Sequence, residues 1–254
     1  MVQKVKSFIQ LLIQNTLGYH NYLYVFSIYR VLRYQWFKDD ADFKFFLELT
    51  NSNDSRTIID AGANVGYTSV IFAKHHPKYQ IISYEPVSLL SKIIEKVITY
   101  FGLKNISVKQ LALGNNSGEV SIKTPIVAGV KKQGLSFVDF AVDREDELMF
   151  NGYLTEQVKM VSIDEDLLQT ALPPVIGIKV DVENFEYFVL QGAQKIIKKY
   201  RPVVMAELWG NDRKKACIEL MQHFDYQVKV IVNNQLVPYT QQTSLNYFFI
   251  PNSQ

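Results

Sequence analysis

Thr57-Ile58-Ile59-Asp60-Ala61-Gly62-Ala63-Asn64-Val65-Gly66-Tyr67-Thr68-Ser69 is the stretch on which the fold turns. Its opening residues are β-branched and apolar and end on an acid, the pattern of a short buried strand. The small residues that follow let the backbone turn tightly and come close to a ligand. The apolar run from Ser69 to Lys74 then continues as a helix. A strand that turns through glycine into a helix leaves unpaired N–H groups facing the end of the sheet.

Strand and helix signals alternate outward from this turn. Gln80–Glu85 reads as a second strand, Ser88–Phe101 as a helix stopped at Gly102, and Ile106–Leu111 as a third strand. Val175–Asp181 is a fourth strand, followed by a helix over 185–199. Pro202–Leu208 is a fifth, followed by a helix across Asp212–His223. Gln227–Val232 and Leu245–Ile250 have no helix between them, which favours an antiparallel pair. The fold class is therefore α/β: a doubly wound, mostly parallel, seven-stranded sheet with an antiparallel edge strand, covered on both faces.

Two regions stand outside the alternation. Residues 1–50 form an N-terminal helical extension, with Val5, Phe8, Ile9, Leu12 and Ile13, and later Phe43, Phe46 and Leu47, at helical spacing. Residues 51–254 form the main domain. Within it, Glu119–Lys123 and Val158–Ile163 read as strands around a long irregular stretch, and 125–157 is expected to be an insertion over the acceptor site.

The site follows from the turn. Glu85 closes the second strand 25 positions after Asp60, where a carboxylate can accept hydrogen bonds from both hydroxyls of a ribose. The pattern is not Gly-x-Gly-x-x-Gly: two glycines are present and Asp60 heads the loop. An acid suits a ligand with a positively charged amino group, such as the methionine end of S-adenosylmethionine, better than pyrophosphate. A nucleotide-dependent oxidoreductase is thus the weaker reading, and a cofactor-binding module without turnover is a third.

With these residues in view the chain resembles the FkbM family of methyltransferases. The resemblance runs over roughly 57–210 in five segments: Ile59–Tyr67, Tyr84-Glu85-Pro86, Ala112-Leu113-Gly114 through Gly118, Val161–Asp164, and Ile178–Glu186 with Val189–Ala193; Pro202 and Glu207 follow in the expected place. It implies the methyltransferase form of the doubly wound fold and S-adenosyl-L-methionine as cofactor. Asp60, Gly62, Ala63, Asn64, Gly66, Glu85, Pro86, Ala112 and Asp181 are the expected cofactor contacts. Related methyltransferases carry an acid after the third strand, where this chain has Ala112-Leu113, so backbone groups are expected to serve there. Asn184 stands where the family has glycine; asparagine tolerates left-handed backbone, so the turn should persist.

Asp60, Glu85, Asp181 and Glu207 all end or nearly end parallel strands, so they gather on one rim. Such acids repel unless a cation sits among them, and Lys179 with a sulfonium would meet that need. Asp181 and Glu207 are the candidate bases for a hydroxyl acceptor, with Lys179 completing the catalytic set. Glu183 and Glu186 share a face at a helix start, where they complement its dipole. Asp181, Glu183 and Glu207 are oxygen ligands of the kind magnesium takes, yet no metal is expected. The acceptor is read as a sugar, glycolipid or other small hydroxylated metabolite, with Tyr19, Tyr22, Tyr24, Tyr29, Trp36 and Tyr153 available for stacking.

Composition narrows the rest. The net charge is +2, and the basic pairs Lys131-Lys132, Lys198-Lys199 and Lys214-Lys215 are scattered, so no nucleic-acid partner is expected. The single cysteine, Cys217, excludes an internal disulfide and fits a cytoplasmic protein. Gln14, Asn15, His20, Asn21, Arg30 and Arg33 interrupt the N-terminal apolar run, which reads as amphipathic helices. Its mixture of Lys, Arg, Tyr and apolar residues leaves room for peripheral membrane contact.

Overall fold

The computed structural model describes residues 2–38, 40–139, 150–210 and 212–252, with only the backbone of 2–9. Three helices open the chain: α1 (Val2–Leu17), α2 (Tyr19–Phe37) and α3 (Ala41–Leu49). The alternating core follows as β1 (Thr57–Ala61), α4 (Tyr67–His75), β2 (Gln80–Tyr84), α5 (Ser88–Phe101) and β3 (Ile106–Lys109). A second set of strands comes next: β4 (Ala112–Leu113), β5 (Gly118–Val127), β6 (Val130–Lys131), β7 (Phe137–Val138) and β8 (Gly152–Val161). The core resumes with α6 (Ile163–Leu167), β9 (Val175–Val180), α7 (Glu186–Gln191), α8 (Gln194–Tyr200), β10 (Val203–Glu207) and α9 (Asp212–His223). Three strands close it, β11 (Tyr226–Val232), β12 (Gln235–Pro238) and β13 (Asn246–Pro251).

The main sheet runs β12-β11-β13-β10-β9-β1-β2-β3. Strands β3, β2, β1, β9 and β10 are parallel, and β13 runs against both β10 and β11. The mostly parallel doubly wound sheet read from the sequence is thus present, with β12 as an eighth, antiparallel edge strand beyond the seven expected. It forms a tight hairpin with β11 across Asn233-Asn234, both left-handed at φ 50° and 58°, where asparagine substitutes for glycine.

Period-two alternation sorts the core. Ile59, Ile82, Ile178 and Val204 face α7, α8 and α9, whereas Ile58, Ile81, Val203 and Met205 face α3 and α4. Parallel strands covered on both faces must be apolar on both, which explains why they read as continuous runs. Cys217 is buried on the first face, and burial pushes its thiol up to about 12, as a packing residue requires.

Three details depart from the sequence reading. The helix expected over 185–199 is two helices, broken where Gly192 passes the second sheet so closely that a Cβ would lie 2.0 Å from the Gly114 carbonyl. Asp164 then accepts from the Lys195 and Ile196 N–H groups and starts α8 anew. The strand expected over 158–163 stops at Val161, because Ser162 and Glu165 form a capping box that begins α6. The irregular insertion over 125–157 is partly regular: its ends continue β5 and β8, which pair from Gly118–Met160 to Ile126–Gly152, and 140–149 lies outside the described residues.

The small sheet (β4, β8, β5 and β6, with β7 on β5) sits over the carboxyl ends of the parallel strands, where Ile122, Val158 and Met160 pack on Phe185 and Val182. The N-terminal helices cover the same end from the other side. Helix α2 packs on α4 and α5, and its buried Ser27 hydroxyl donates to the Val65 carbonyl at 2.7 Å, pinning the loop after β1.

Candidate active site

The loop after β1 is held by hydrogen bonds that leave its outer edge clear. The N–H groups of Gly62 and Ala63 both donate to the Tyr84 carbonyl, each at 3.0 Å, and Gly66 N–H donates to Ala63 O at 2.8 Å. Gly62 (φ 77°), Asn64 (φ 53°) and Gly66 (φ 80°) are all left-handed. Gly62 is obligatory, since a Cβ there would stand 1.9 Å from the Asp181 carbonyl oxygen.

A cleft of about 670 Å³, counted to its open mouth, lies beyond this loop. Gly62, Asn64, Glu85, Pro86, Ala112 and Asp181 line it, and Leu90, Leu111, Ile122 and Val138 supply apolar walls. Glu85 is buried at its floor. Its Oε2 accepts from Asn64 N–H at 2.8 Å and its Oε1 from Val87 N–H at 2.9 Å. Burial pushes its carboxyl up to about 8 despite those two donors. One lone pair on each oxygen remains for further donors. Gln133, Gly134 and Ser136, from the stretch between β6 and β7, complete the lining of the cleft.

Asp60 is not in this lining. In register with it stand Ser83 on β2 and Lys179 on β9, all facing α4. Its Oδ2 accepts from the Ser69 hydroxyl at 2.5 Å, and Ser83 donates to Ser69 at 2.7 Å. Lys179 Nζ donates to Gly62 O at 2.9 Å and lies 3.4 Å from Asp60 Oδ1 and 3.2 Å from Asp181 Oδ2. Burial alone would lower the lysine, but Asp181 and Asp60 outweigh it and hold its pKa above the ordinary value. The acid expected beside an amino group thus faces α4 instead, and this buried clamp fixes the loop from behind. Ala63 and Gly66 likewise shape the loop without lining the cleft.

A second cavity, of about 470 Å³, opens on the other side of Asp181. Lys179, Asp181 and Glu207 line it together with Asp42, Tyr67 and Asn246. Asp181 therefore borders both spaces, and its side chain is 38% exposed. Burial, with Asp181 nearby, raises the Glu207 carboxyl to about 7, against a smaller opposing effect of Lys179. Among the described residues no group of three or more His, Cys, Asp or Glu is arranged to hold a metal ion.

The loop, the acid after β2 and the rim of β9 and β10 are the marks of one family, and the Methyltransferase FkbM domain matches residues 60–237. The chain belongs to the FkbM methyltransferase family. No curated protein sequence matches it. Among solved structures it is similar to the methyltransferase FkbM from Methylobacillus flagellatus KT, at 16% identity and TM-score 0.49. There 93% of this chain covers 59% of that one, so the chain spans a little over half the length of that relative. It is also similar to a SAM-dependent O-methyltransferase from Thermotoga maritima (11% identity, 89% of this chain and 72% of that one, TM-score 0.44). A third is M. capricolum TrmK bound to the cofactor product S-adenosyl-homocysteine (10%, 82% and 65%, 0.39). These folds are distant, and the family match carries the assignment.

Membership of this family implies an S-adenosylmethionine-type methyl donor, and the cleft suits one. It is of small-ligand size, its loop has the bare backbone that only Gly62 permits, and the buried Asn64 Oδ1 has no partner among the described residues. The segment after Asp181 keeps its turn without the family's glycine. Asn184 is left-handed at φ 74°, as its residue type allows, and so is Glu183 at 52°. Glu186, read as a dipole partner, is instead buried and accepts from the Val182 and Asn184 N–H groups, both at 3.1 Å. Asp42, Tyr67 and Asn246 are lining residues of the second cavity that the sequence alone does not bring together. They come from α3, α4 and β13, far apart in the chain, and only Tyr67 adjoins a recognisable motif.

Proposed function

We propose that this enzyme moves the methyl group of S-adenosyl-L-methionine to a hydroxyl oxygen of a sugar or other small hydroxylated metabolite. The observation that carries this reading is that Asp181 borders both cavities, so a donor in the cleft and an acceptor in the second cavity meet at one carboxylate. When bound, the sulfonium supplies a methyl carbon open to in-line displacement. Glu85 would take the ribose hydroxyls on its free lone pairs, with Pro86, Ala112 and the apolar wall around the base. Gly62, Asn64 and Asp181 would lie toward the methionine end.

Glu207 lines only the acceptor side and serves as the base. With the donor bound, its sulfonium would give up the methyl group to the acceptor oxygen and leave as the neutral thioether, while the Glu207 carboxylate would take the hydroxyl proton. A carboxyl raised to about 7 is a better proton acceptor than an ordinary one and is still half ionised at neutral pH. Asp181 orients the hydroxyl, and Lys179 positions Asp181. A screen of hydroxylated acceptors with isotopically labelled S-adenosylmethionine, read by mass, tests the reading. Label on oxygen supports it; label on nitrogen or carbon only would overturn it.

A glycolipid acceptor is favoured by one further observation. Val25, Tyr29, Leu32 and Trp36 recur at helical spacing along the outer face of α2 and are exposed, Trp36 by 82%. Exposed Arg33 and Lys38 flank them. No helix among the described residues is long and apolar enough to cross a membrane, but an apolar row edged by cations suits an anionic lipid surface. Sedimentation with phosphatidylglycerol vesicles, lost in Trp36→Ser, is the expected result; equal binding by both proteins would remove the surface.

A further inference from the structure

A third cavity, of about 490 Å³, adjoins the acceptor pocket and shares Asp40, Phe43 and Tyr67 with it. It differs in charge from its neighbour. Its wall carries Arg30 and Arg33, both from α2, against the one acid Asp40, where the acceptor pocket carries Asp40, Asp42, Asp181 and Glu207 against the one cation Lys179. Arg30 is half-buried and its guanidinium lies over Tyr67, its carbon 4.4 Å from the ring centroid. Its side chain makes no hydrogen bond or ion pair with any described residue. Asp40, the carboxylate on the same wall, accepts from Phe43 N–H as the N-cap of α3.

A guanidinium held over an aromatic ring is restricted before any ligand arrives, and its planar fork matches the two oxygens of a carboxylate or phosphate. The acids of the neighbouring pocket repel an anion. A molecule with a hydroxyl at one end and an oxyanion at the other is therefore oriented by this pair of cavities in one direction only. We propose that Arg30 binds an oxyanion of the acceptor, so that the substrate is an acidic sugar or sugar phosphate with its hydroxyl at Glu207 and its anionic group on α2. This rests on the methyltransferase reading of the pocket beside it.

Two measurements separate the two readings. In the first, inorganic phosphate and malonate are titrated calorimetrically into the protein with S-adenosylhomocysteine present, at matched ionic strength. Saturable binding is expected for at least one anion, weakened about tenfold or more in Arg30→Gln and partly kept in Arg30→Lys. In the second, galactose, galacturonate and galactose 1-phosphate are compared as acceptors. An anionic member should be preferred, and Arg30→Gln should raise its KM by about tenfold or more, with the loss in KM rather than kcat. Whether carboxylate or phosphate is preferred names the source of the oxyanion. No saturable anion binding, the same binding in Arg30→Gln, or preference for galactose would overturn the proposal. Anion binding lost with Arg30, but no methylated acceptor, would leave Arg30 as the anion site and count against the reading of its neighbour. An unchanged melting curve and S-adenosylhomocysteine affinity in Arg30→Gln shows that the fold is intact.

Discussion

The cavities on either side of Asp181 are built in opposite ways. The proposed cofactor cleft takes its polar floor from short segments, the loop after β1, the residues after β2 and the end of β9, and its walls from α5, β4, β5 and β7. Bare backbone at Gly62 and the side chains of Asn64, Glu85 and Asp181 meet apolar walls there. The acceptor pocket is made from side chains that α3, α4, β9, β10 and β13 bring together, and most of them are charged or polar. A ligand shared by a whole family can be held by backbone geometry, which tolerates drift in most side chains. A ligand peculiar to one enzyme must be told apart by side chains, and those can change without disturbing the sheet.

Substitutions at the boundary test that contrast. The largest effect is expected from Lys179→Met, which removes the cation shared by the two sides. It leaves Asp60 charged and buried, and urea unfolding should show a loss of roughly 3–5 kcal/mol, the usual cost of breaking a buried pair. A loss below about 1 kcal/mol would mean the clamp is not structural. Glu207→Gln comes next and should touch only the acceptor side, lowering kcat by about 100-fold or more. Because Glu207 must be ionised to accept a proton, wild-type kcat should rise as pH passes upward through about 7 and then level off. The glutamine variant should lose that limb, and an unchanged limb would assign the titration elsewhere.

Glu85 gives a purely cofactor-side effect. Its folded carboxyl is raised from 4.5 to about 8 by burial, so the unliganded fold keeps a proton that the unfolded chain releases. Stability of the unliganded protein should therefore fall as pH rises from about 5 to 8, and Glu85→Gln should flatten that slope. Thermal melts across this range that run parallel for the two proteins would contradict the assignment. Smallest is Ser27→Ala, which removes one buried hydrogen bond from α2 to the loop after β1 and should cost about 1 kcal/mol. An unchanged melting temperature would detach the N-terminal helices from the loop.

The same contrast decides what could be read from sequence. The β1 loop, Glu85 and the β9 rim were legible because strand, turn and acid are neighbours in the chain. Asp60 was recognised but misplaced. It alternates with Ile59 and Ala61, so it shares a face with Ile58 and points to α4, a parity that the motif alone conceals. The small sheet over the cleft was missed as a sheet because β5 and β8 are separated by about as many residues as a disordered loop would need. Asp42 and Asn246 could not be placed at all, since their meeting depends on a hydrogen bond between α3 and β13, 204 positions apart.

The central claim is that Asp181 divides a donor side, which includes Glu85, from an acceptor side, which includes Glu207. Calorimetric binding of S-adenosylhomocysteine to Glu85→Ala and to Glu207→Gln tests it without any knowledge of the acceptor. Affinity should fall by roughly 1–3 kcal/mol in the first, the worth of about two hydrogen bonds, and stay near the wild-type value in the second. Unchanged affinity in Glu85→Ala, or an equal loss in both variants, would contradict the division.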